Sequence, residues 1–131
     1  MRPIALALGA YMTNCYIVPD GDRIAIVDAP FPSDSLLEML EEKGIAPDEI
    51  LLTHAHHDHV FGLERIKQTF PDAKVYVSAE DKAFLDDNGK MLREMLRSFD
   101  RAFLEETKDV SIPGGILDYS QYSGTLCIIP T

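Results

Sequence analysis

The sequence predicts an α/β fold in which helices cover one face of a mixed sheet. Three observations predict it. Short segments rich in β-formers alternate with helix-patterned segments through the first 77 residues, in strand–helix–strand–helix–strand order, and that order packs helices on a sheet. The strands that precede this alternation are joined by a tight turn and read as a hairpin. The 131 residues, 46% hydrophobic and 26% charged, have the length and balance of one globular domain with one real core.

The elements follow in order. Ile4 to Leu8 is a short apolar strand, and Asn14 to Val18 is a second. Pro19, Asp20, Gly21 and Asp22 form a turn, because proline fixes φ and glycine accepts positive φ. Arg23 to Val27 returns as the next strand, with Asp28 at its end and a proline-containing loop beyond. Ser35 and Glu38 have capping-box spacing for a helix whose apolar stripe is Leu36, Leu37 and Leu40 and whose αL stop is Gly44. Ile50 to Leu52 is a short buried strand. Val60, Leu63, Ile66 and Phe70 have helical spacing up to Pro71, and Lys74 to Val77 is another strand. Residues 79 to 107 are charged and mostly helical, with Leu92, Met95, Leu96, Phe99 and Phe103 as the apolar face and a break at Asn88-Gly89. The tail from Val110 reads as short strands around Gly114-Gly115 and Gly124, ending on an apolar strand, Leu126 to Ile129. A terminus on an apolar strand looks interrupted.

Composition narrows the partners. A formal net charge of −10 repels phosphate backbones and anionic membranes, so neither nucleic acid nor a membrane is expected as a partner. The N-terminal apolar run is too short to span a bilayer and has no small-residue cleavage site after it, which suggests a cytoplasmic protein. Cys15 and Cys127 form neither a C-x-x-C pair nor a disulfide framework, and both are expected to be reduced and buried.

The segment that carries chemistry is Thr53-His54-Ala55-His56-His57-Asp58-His59, which contains all four histidines. A lone histidine is usually a satisfied polar residue. Four of them with an aspartate, between a buried strand and a helix start, are different. Their crowding would be repulsive if all were protonated, and a metal ion relieves it, since neutral imidazole and carboxylate are both common zinc ligands. Asp58 near the helix start is also favoured by the free N–H groups there. His57 falls outside the ligand spacing and is expected to be a solvent-facing spacer.

Thr53 through Gly62 resembles the H-x-H-x-D-H signature of the metallo-β-lactamase superfamily. Thr13-Asn14-Cys15-Tyr16, followed by Ile26-Val27-Asp28, is similar to the opening hairpin of its glyoxalase II-like branch, the hydroxyacylglutathione hydrolases and their relatives. Val75-Tyr76-Val77-Ser78 before an acidic helix resembles that branch too. The resemblance implies two metal sites, His54 and His56 serving one ion and Asp58 and His59 the second, with Asp28 as support behind them. It implies zinc, up to two ions, with iron or manganese as alternatives. The implied chemistry is attack of a metal-activated water, oriented by Asp58, on a small-molecule thioester, lactone or β-lactam.

The same resemblance covers only the N-terminal half of the αββα sandwich, so residues 1 to 131 are expected to form a single truncated metallo-β-lactamase-like domain lacking the C-terminal half. No histidine follows His59, and Asp109 and Asp118 come too early for the family's bridging aspartate. The expected partner is therefore a second copy of the chain, as a homodimer, or a polypeptide supplying the missing half. Three functional classes stay open: a metal-dependent hydrolase, weakly active alone; a non-catalytic metal-binding or self-associating half-domain; and an iron-dependent persulfide dioxygenase built on the same half-motif.

Overall fold

The computed structural model describes residues 1–9 and 11–126. Six strands form one sheet in sequence order: β1 (Ile4–Leu8), β2 (Thr13–Asp20), β3 (Arg23–Val27), β4 (Glu49–Leu51), β5 (Lys74–Val77) and β6 (Leu117–Asp118). β1 to β3 pair antiparallel, and β3 to β6 pair parallel. The sheet is therefore mixed, as expected. The helices are α1 (Asp34–Lys43), α2 (His57–Val60), α3 (Leu63–Thr69), α4 (Ala79–Phe99) and α5 (Arg101–Glu106). Among the described residues, no helix is long and apolar enough to cross a membrane.

Strand alternation sends side chains to two different cores. Cys15, Ile17, Ile26, Ile50, Val75 and Val77 face the helices and join Leu36, Leu40, Leu63, Ile66, Leu92, Leu96 and Phe103 in one large cluster. Full burial of each such aliphatic side chain is worth about 1.5–3 kcal/mol, so this side carries most of the stability. The opposite face holds a smaller cluster of Ala25, Leu51 and Tyr76, covered by Tyr119, Tyr122 and Leu126. The sheet face expected to lie bare in half a sandwich is thus partly roofed by the chain itself, while Tyr16 stays exposed.

Several local expectations are corrected. β2 runs on through Pro19 to Asp20, because the hairpin closes on two residues, Gly21 and Asp22, with Gly21 at positive φ. α1 begins at Asp34, so Ser35 already lies inside the first turn and caps nothing; no side chain caps this helix, although Asp34 complements its dipole. Gly44 does supply the αL stop. The helix expected from Val60 to Phe70 is interrupted after α2, because Gly62 lies against the loop that follows β3. Its N–H donates to Ala29 O at 3.0 Å, and a Cβ there would overlap Pro30 O. Residues 86–89 break α4 as expected at Asn88-Gly89. Met95 and Phe99 are exposed rather than core, since the helix turns them past the edge of the sheet-facing stripe. In the tail, the only regular structure among the described residues is the two-residue β6 and a 3-10 turn, Tyr119–Gln121. Of the expected strand Leu126 to Ile129, all but Leu126 lies outside the described residues, as does Cys127. Cys15 is a free, buried thiol, pushed up to about 12 by burial and by the Asp28 charge.

The roof over the smaller core is fastened by buried acids. Asp20 accepts hydrogen bonds from Tyr122 Oη (2.6 Å), Thr125 N (2.6 Å) and Thr125 Oγ1 (2.9 Å). Glu49 is buried beside it, and Arg23 lies 3.9 Å from each carboxylate. Burial, the hydrogen bond with Asp20 and the Asp20 charge push the Glu49 carboxyl up to about 7. Burial alone would raise Asp20 as well, but the hydrogen bonds from Glu49, Tyr122 and Thr125 outweigh it and hold Asp20 below the usual carboxylate range. A raised folded-state pKa stabilises the fold fully below the ordinary value of 4.5, and that stabilisation is lost as pH rises through about 7. The depressed Asp20 acts oppositely, and its contribution is lost only in strong acid. The shifted histidines of the motif add contributions of both signs over the same range, so the Glu49 contribution is read as a difference between two proteins. We predict that between pH 5 and 8 the urea midpoint falls with pH more steeply, or rises less, in the wild type than in Glu49→Gln, whose amide donates to Asp20 without titrating. Equal slopes in the two proteins would refute the shared-proton account.

Candidate metal centre

The motif lies at the carboxyl end of the parallel strands, where open α/β sheets place their ligands. β4 is followed by Leu52, whose N–H still pairs with Tyr76 O at 2.9 Å. The chain then leaves the sheet at Thr53, turns through His54 to His56, and enters α2 at His57. Asp58 is in the first turn of that helix. The loop after β3 clasps the motif from behind: Ala29 N donates to His59 O at 2.8 Å.

All four expected ligand residues come together here. The His54 and His59 rings are 4.1 Å apart between centroids, His54 and His56 5.3 Å, and His56 and His59 6.4 Å. Asp58 is the pivot, with Oδ1 3.2 Å from His56 Nδ1 and Oδ2 3.5 Å from His59 Nε2. Two donors on one tetrahedral zinc ion, each about 2.1 Å from it, stand roughly 3.4 Å apart. The donor spacings around Asp58 therefore fit a divalent ion, as does the chemistry of the set.

Behind the donors stands Asp28, 3% exposed and at φ 68, a left-handed backbone that aspartate tolerates better than most residues. Its Oδ1 accepts from Thr53 N (2.8 Å) and its Oδ2 from Thr53 Oγ1 (2.8 Å). His59 Nδ1 is 2.8 Å from the same Oδ2, close enough for an ion pair though off the N–H axis. Burial pulls His59 down, but Asp28 and then Asp58 more than offset it and the net shift is upward. His54 is lowered by burial and by the neighbouring His59 and His56. Burial would raise Asp58, yet the Thr13 hydroxyl, donating at 2.9 Å, together with His59 and His56, holds it below the ordinary value.

His57 is not the exposed spacer expected from its position. It is 4% exposed, with Nε2 3.6 Å from Asp100 Oδ2. Its ring packs edge-on against Phe103 (4.7 Å), Tyr11 (5.4 Å) and Phe99 (5.8 Å). The reason is helical geometry: as the first residue of α2 it points toward α4 and α5, whereas the donors point away. Its ligand atom lies within 4.8 Å of those of His56 and Asp58, the one such group of three among the described residues, which leaves out His54 and His59; the ring is otherwise packed on aromatic neighbours.

The sequence reading missed Thr13, Asp81 and Asp100. Asp81 Oδ2 accepts from Ala55 N at 3.3 Å and so ties the start of α4 to the motif loop; Tyr11 hydrogen-bonds Asp100. None of these has a local signal, because each reaches the motif from another element. Thr53, His54, His56, Ser78, Glu80 and Asp81 line an open cleft of about 700 Å³. A groove of about 620 Å³ between α1 and α3 contains no motif residue.

The sequence profile of the metallo-β-lactamase superfamily matches residues 8–122. The uncharacterized protein YobT of Bacillus subtilis (strain 168) is 29% identical over 92% of this chain and 52% of its own length. A hydroxyacylglutathione hydrolase of Photorhabdus laumondii is 41% identical over 52% of this chain and 27% of its own. Among solved structures, TTHA1623 in a di-iron-bound form aligns with a TM-score of 0.61 at 26% identity, covering 98% of this chain and 53% of that one. The BLEG-1 B3 metallo-β-lactamase aligns at 0.59 and 30%, covering 66% and 41%. The chain spans about half, or less, of the length of these relatives.

The packing of His57 gives a test. We predict that His57→Ala lowers the unfolding free energy by about 1–3 kcal/mol, as for a buried residue with a polar contact. Urea denaturation measures it; a change within about 0.5 kcal/mol would mark an exposed spacer.

Proposed function

Because the chain belongs to the metallo-β-lactamase superfamily, we propose that it carries half of a metal-dependent hydrolytic centre of the glyoxalase II kind, acting on a thioester or lactone. The observation that carries this reading is the meeting of His56 and His59 on the two oxygens of the Asp58 carboxylate at the carboxyl end of β4, with the His54 ring beside His59. In this reading His54 and His56 serve one divalent ion and Asp58 and His59 a second. Zinc is the first choice, with iron or manganese as alternatives, since imidazole and carboxylate suit all three. The ion would supply Lewis-acid polarisation of the substrate carbonyl and of the attacking water. The protein's own residues do the rest. Asp58, held by Thr13, orients the water. Asp28 holds the ligand loop from behind. The cleft walled by Ser78, Glu80 and Asp81 admits the substrate.

A second reading is favoured by the donor count. Two motif donors per ion fall short of the three protein ligands typical of catalytic zinc. In that reading residues 1–131 are by themselves a non-catalytic metal-binding or self-associating half-domain, and catalysis needs further donors to complete each set.

Metal analysis and calorimetric titration test the centre itself. We expect divalent-metal uptake by the wild type and at least tenfold weaker uptake by the His54→Ala, His56→Ala double variant; identical uptake would sink both readings. Light scattering combined with hydrolysis assays separates the two. Zinc- and iron-loaded protein is offered S-lactoylglutathione, a chromogenic cephalosporin and a simple lactone, with His56→Ala as control. We expect a self-associated species with weak turnover or none. Robust turnover lost in His56→Ala would establish the hydrolase, and a clean monomer at micromolar concentration would remove the homodimer.

A further inference from the structure

We propose that Thr53 is a positioning residue that fixes the tautomer of His54 by relaying the polarity of the buried Asp28 carboxylate. The inference rests on the metal-centre reading for its purpose, but its geometry stands independently.

The argument is a proton count. A carboxylate only accepts hydrogen bonds, whereas a threonine hydroxyl has one proton to give and lone pairs to receive. Asp28 Oδ1 is served by Thr53 N at 2.8 Å. Asp28 Oδ2 lies 2.8 Å from Thr53 Oγ1, so the hydroxyl proton points at the carboxylate. The same Oγ1 is 2.9 Å from His54 Nδ1. With its proton already committed, Oγ1 can only accept there, and Nδ1 must carry the N–H. The neutral His54 ring therefore holds its lone pair on Nε2. At His59 the carboxylate acts without a relay: Oδ2 lies 2.8 Å from Nδ1, and an N–H is the form of that nitrogen that a carboxylate attracts. His59 Nε2 is left facing Asp58 Oδ2 at 3.5 Å. His54 is thereby left with Nε2 as the atom it can offer to an ion; at His59 the carboxylate stands at ion-pair distance from Nδ1 but off the N–H axis, so it attracts a proton there without a hydrogen bond to fix it. Partners behind a ligating histidine generally fix its tautomer and orientation in this way.

His56 lies outside this relay. Its contact within the site is Nδ1 against Asp58 Oδ1, and its side chain is half exposed. A role confined to stability would not discriminate among the three histidines. The proposed relay predicts a fixed tautomer at His54 and none imposed on His56 by Asp28.

Long-range ¹H–¹⁵N correlation spectra of the ¹⁵N-histidine-labelled, metal-free chain at pH 8 read the tautomers directly. We expect His54 to be protonated on Nδ1 in the wild type and in Thr53→Ser, which keeps the hydroxyl. Thr53→Val removes the relay and should release His54 to a mixture of tautomers or to the Nε2–H form. Asp28→Asn reverses the polarity at nearly constant shape, and its amide suits the left-handed backbone. With an N–H₂ facing Thr53 Oγ1, the hydroxyl is free to donate to His54 Nδ1, so His54 should switch to Nε2–H. Zinc calorimetry supplies the second readout: Thr53→Val should weaken binding about 10–100-fold, and Thr53→Ser less than threefold. An Nε2–H His54 in the wild type, or an unchanged tautomer in both Thr53→Val and Asp28→Asn, overturns the proposal. If the wild type binds no zinc, the metal-centre reading fails while the tautomer spectra still decide the relay.

Discussion

The site depends on one buried carboxylate. Asp28 ends β3 with a left-handed backbone, and from there it reaches two segments that the chain order keeps apart: Thr53 at the exit of β4 and His59 in α2. A buried carboxylate without partners would be costly. Its lone pairs are instead satisfied by groups that must hold still for the motif to converge. The backbone completes the clasp, with Asp28 N on Leu51 O, Ala29 N on His59 O and Gly62 N on Ala29 O. The glycine at 62 follows from that closeness, since a side chain there would collide with the loop. The break between α2 and α3 lies beside it, so a local departure from helical periodicity has a cause in the site.

The two faces of the sheet are stabilised by different physics. The helix side is a continuous apolar core, mostly aliphatic. The other side is small, aromatic and acidic, with Tyr76, Tyr119 and Tyr122 stacked or edge-on and the Asp20–Glu49 pair beside them. The tyrosines cover Leu51, in the strand that delivers the motif, and Tyr119 Oη donates to Leu52 O at 2.7 Å. The carbonyl just before Thr53 is thus held from the face opposite the helices. Rigid strands are better platforms for ligand geometry than loops, and β4 is held from both sides although it is only three residues long.

Much of this was legible in the sequence because it is local. The strands β1, β3 and β5, the αL stop at Gly44, the break in α4 and the H-x-H-x-D-H cluster all have signals within a few residues of themselves. What was not legible depends on contacts across the chain. Ser35 and Glu38 had the right spacing for a capping box, but the helix begins two residues too early for it. His57 looked like a spacer because the ligand pattern skips it, and only the placement of Phe103, Tyr11 and Asp100 makes it a packed residue. Met95 and Phe99 matched an apolar stripe, but α4 buries Leu92 and Leu96 and leaves these two exposed. The supports of the donors are non-local in the same way: Thr13 is 45 residues from Asp58, and Asp81 is 26 from Ala55. Asp28 was the exception, found through its place in a known hairpin and not through any rule of spacing.

The donors are not equally prepared, and the inequality has a direction. His54 is steadied by Thr53, His59 by Asp28, and Asp58 by Thr13, each support coming from the sheet side. The His56 side chain has its one hydrogen-bond contact, among the described residues, with Asp58 and lines the cleft, with the exposed ring of Phe99 6.3 Å away on one flank. A ligand with fewer supports must be ordered when an ion arrives, and ordering a side chain costs free energy. On the proposed metal reading, three prepared donors and one free one favour an ion settling first against Asp58 and His59, where both partners are already held. The His54–His56 pair is half prepared, and the open cleft lies on its side. Any further donor has its approach there, since the opposite side is closed by Asp28, the β3 loop and the core.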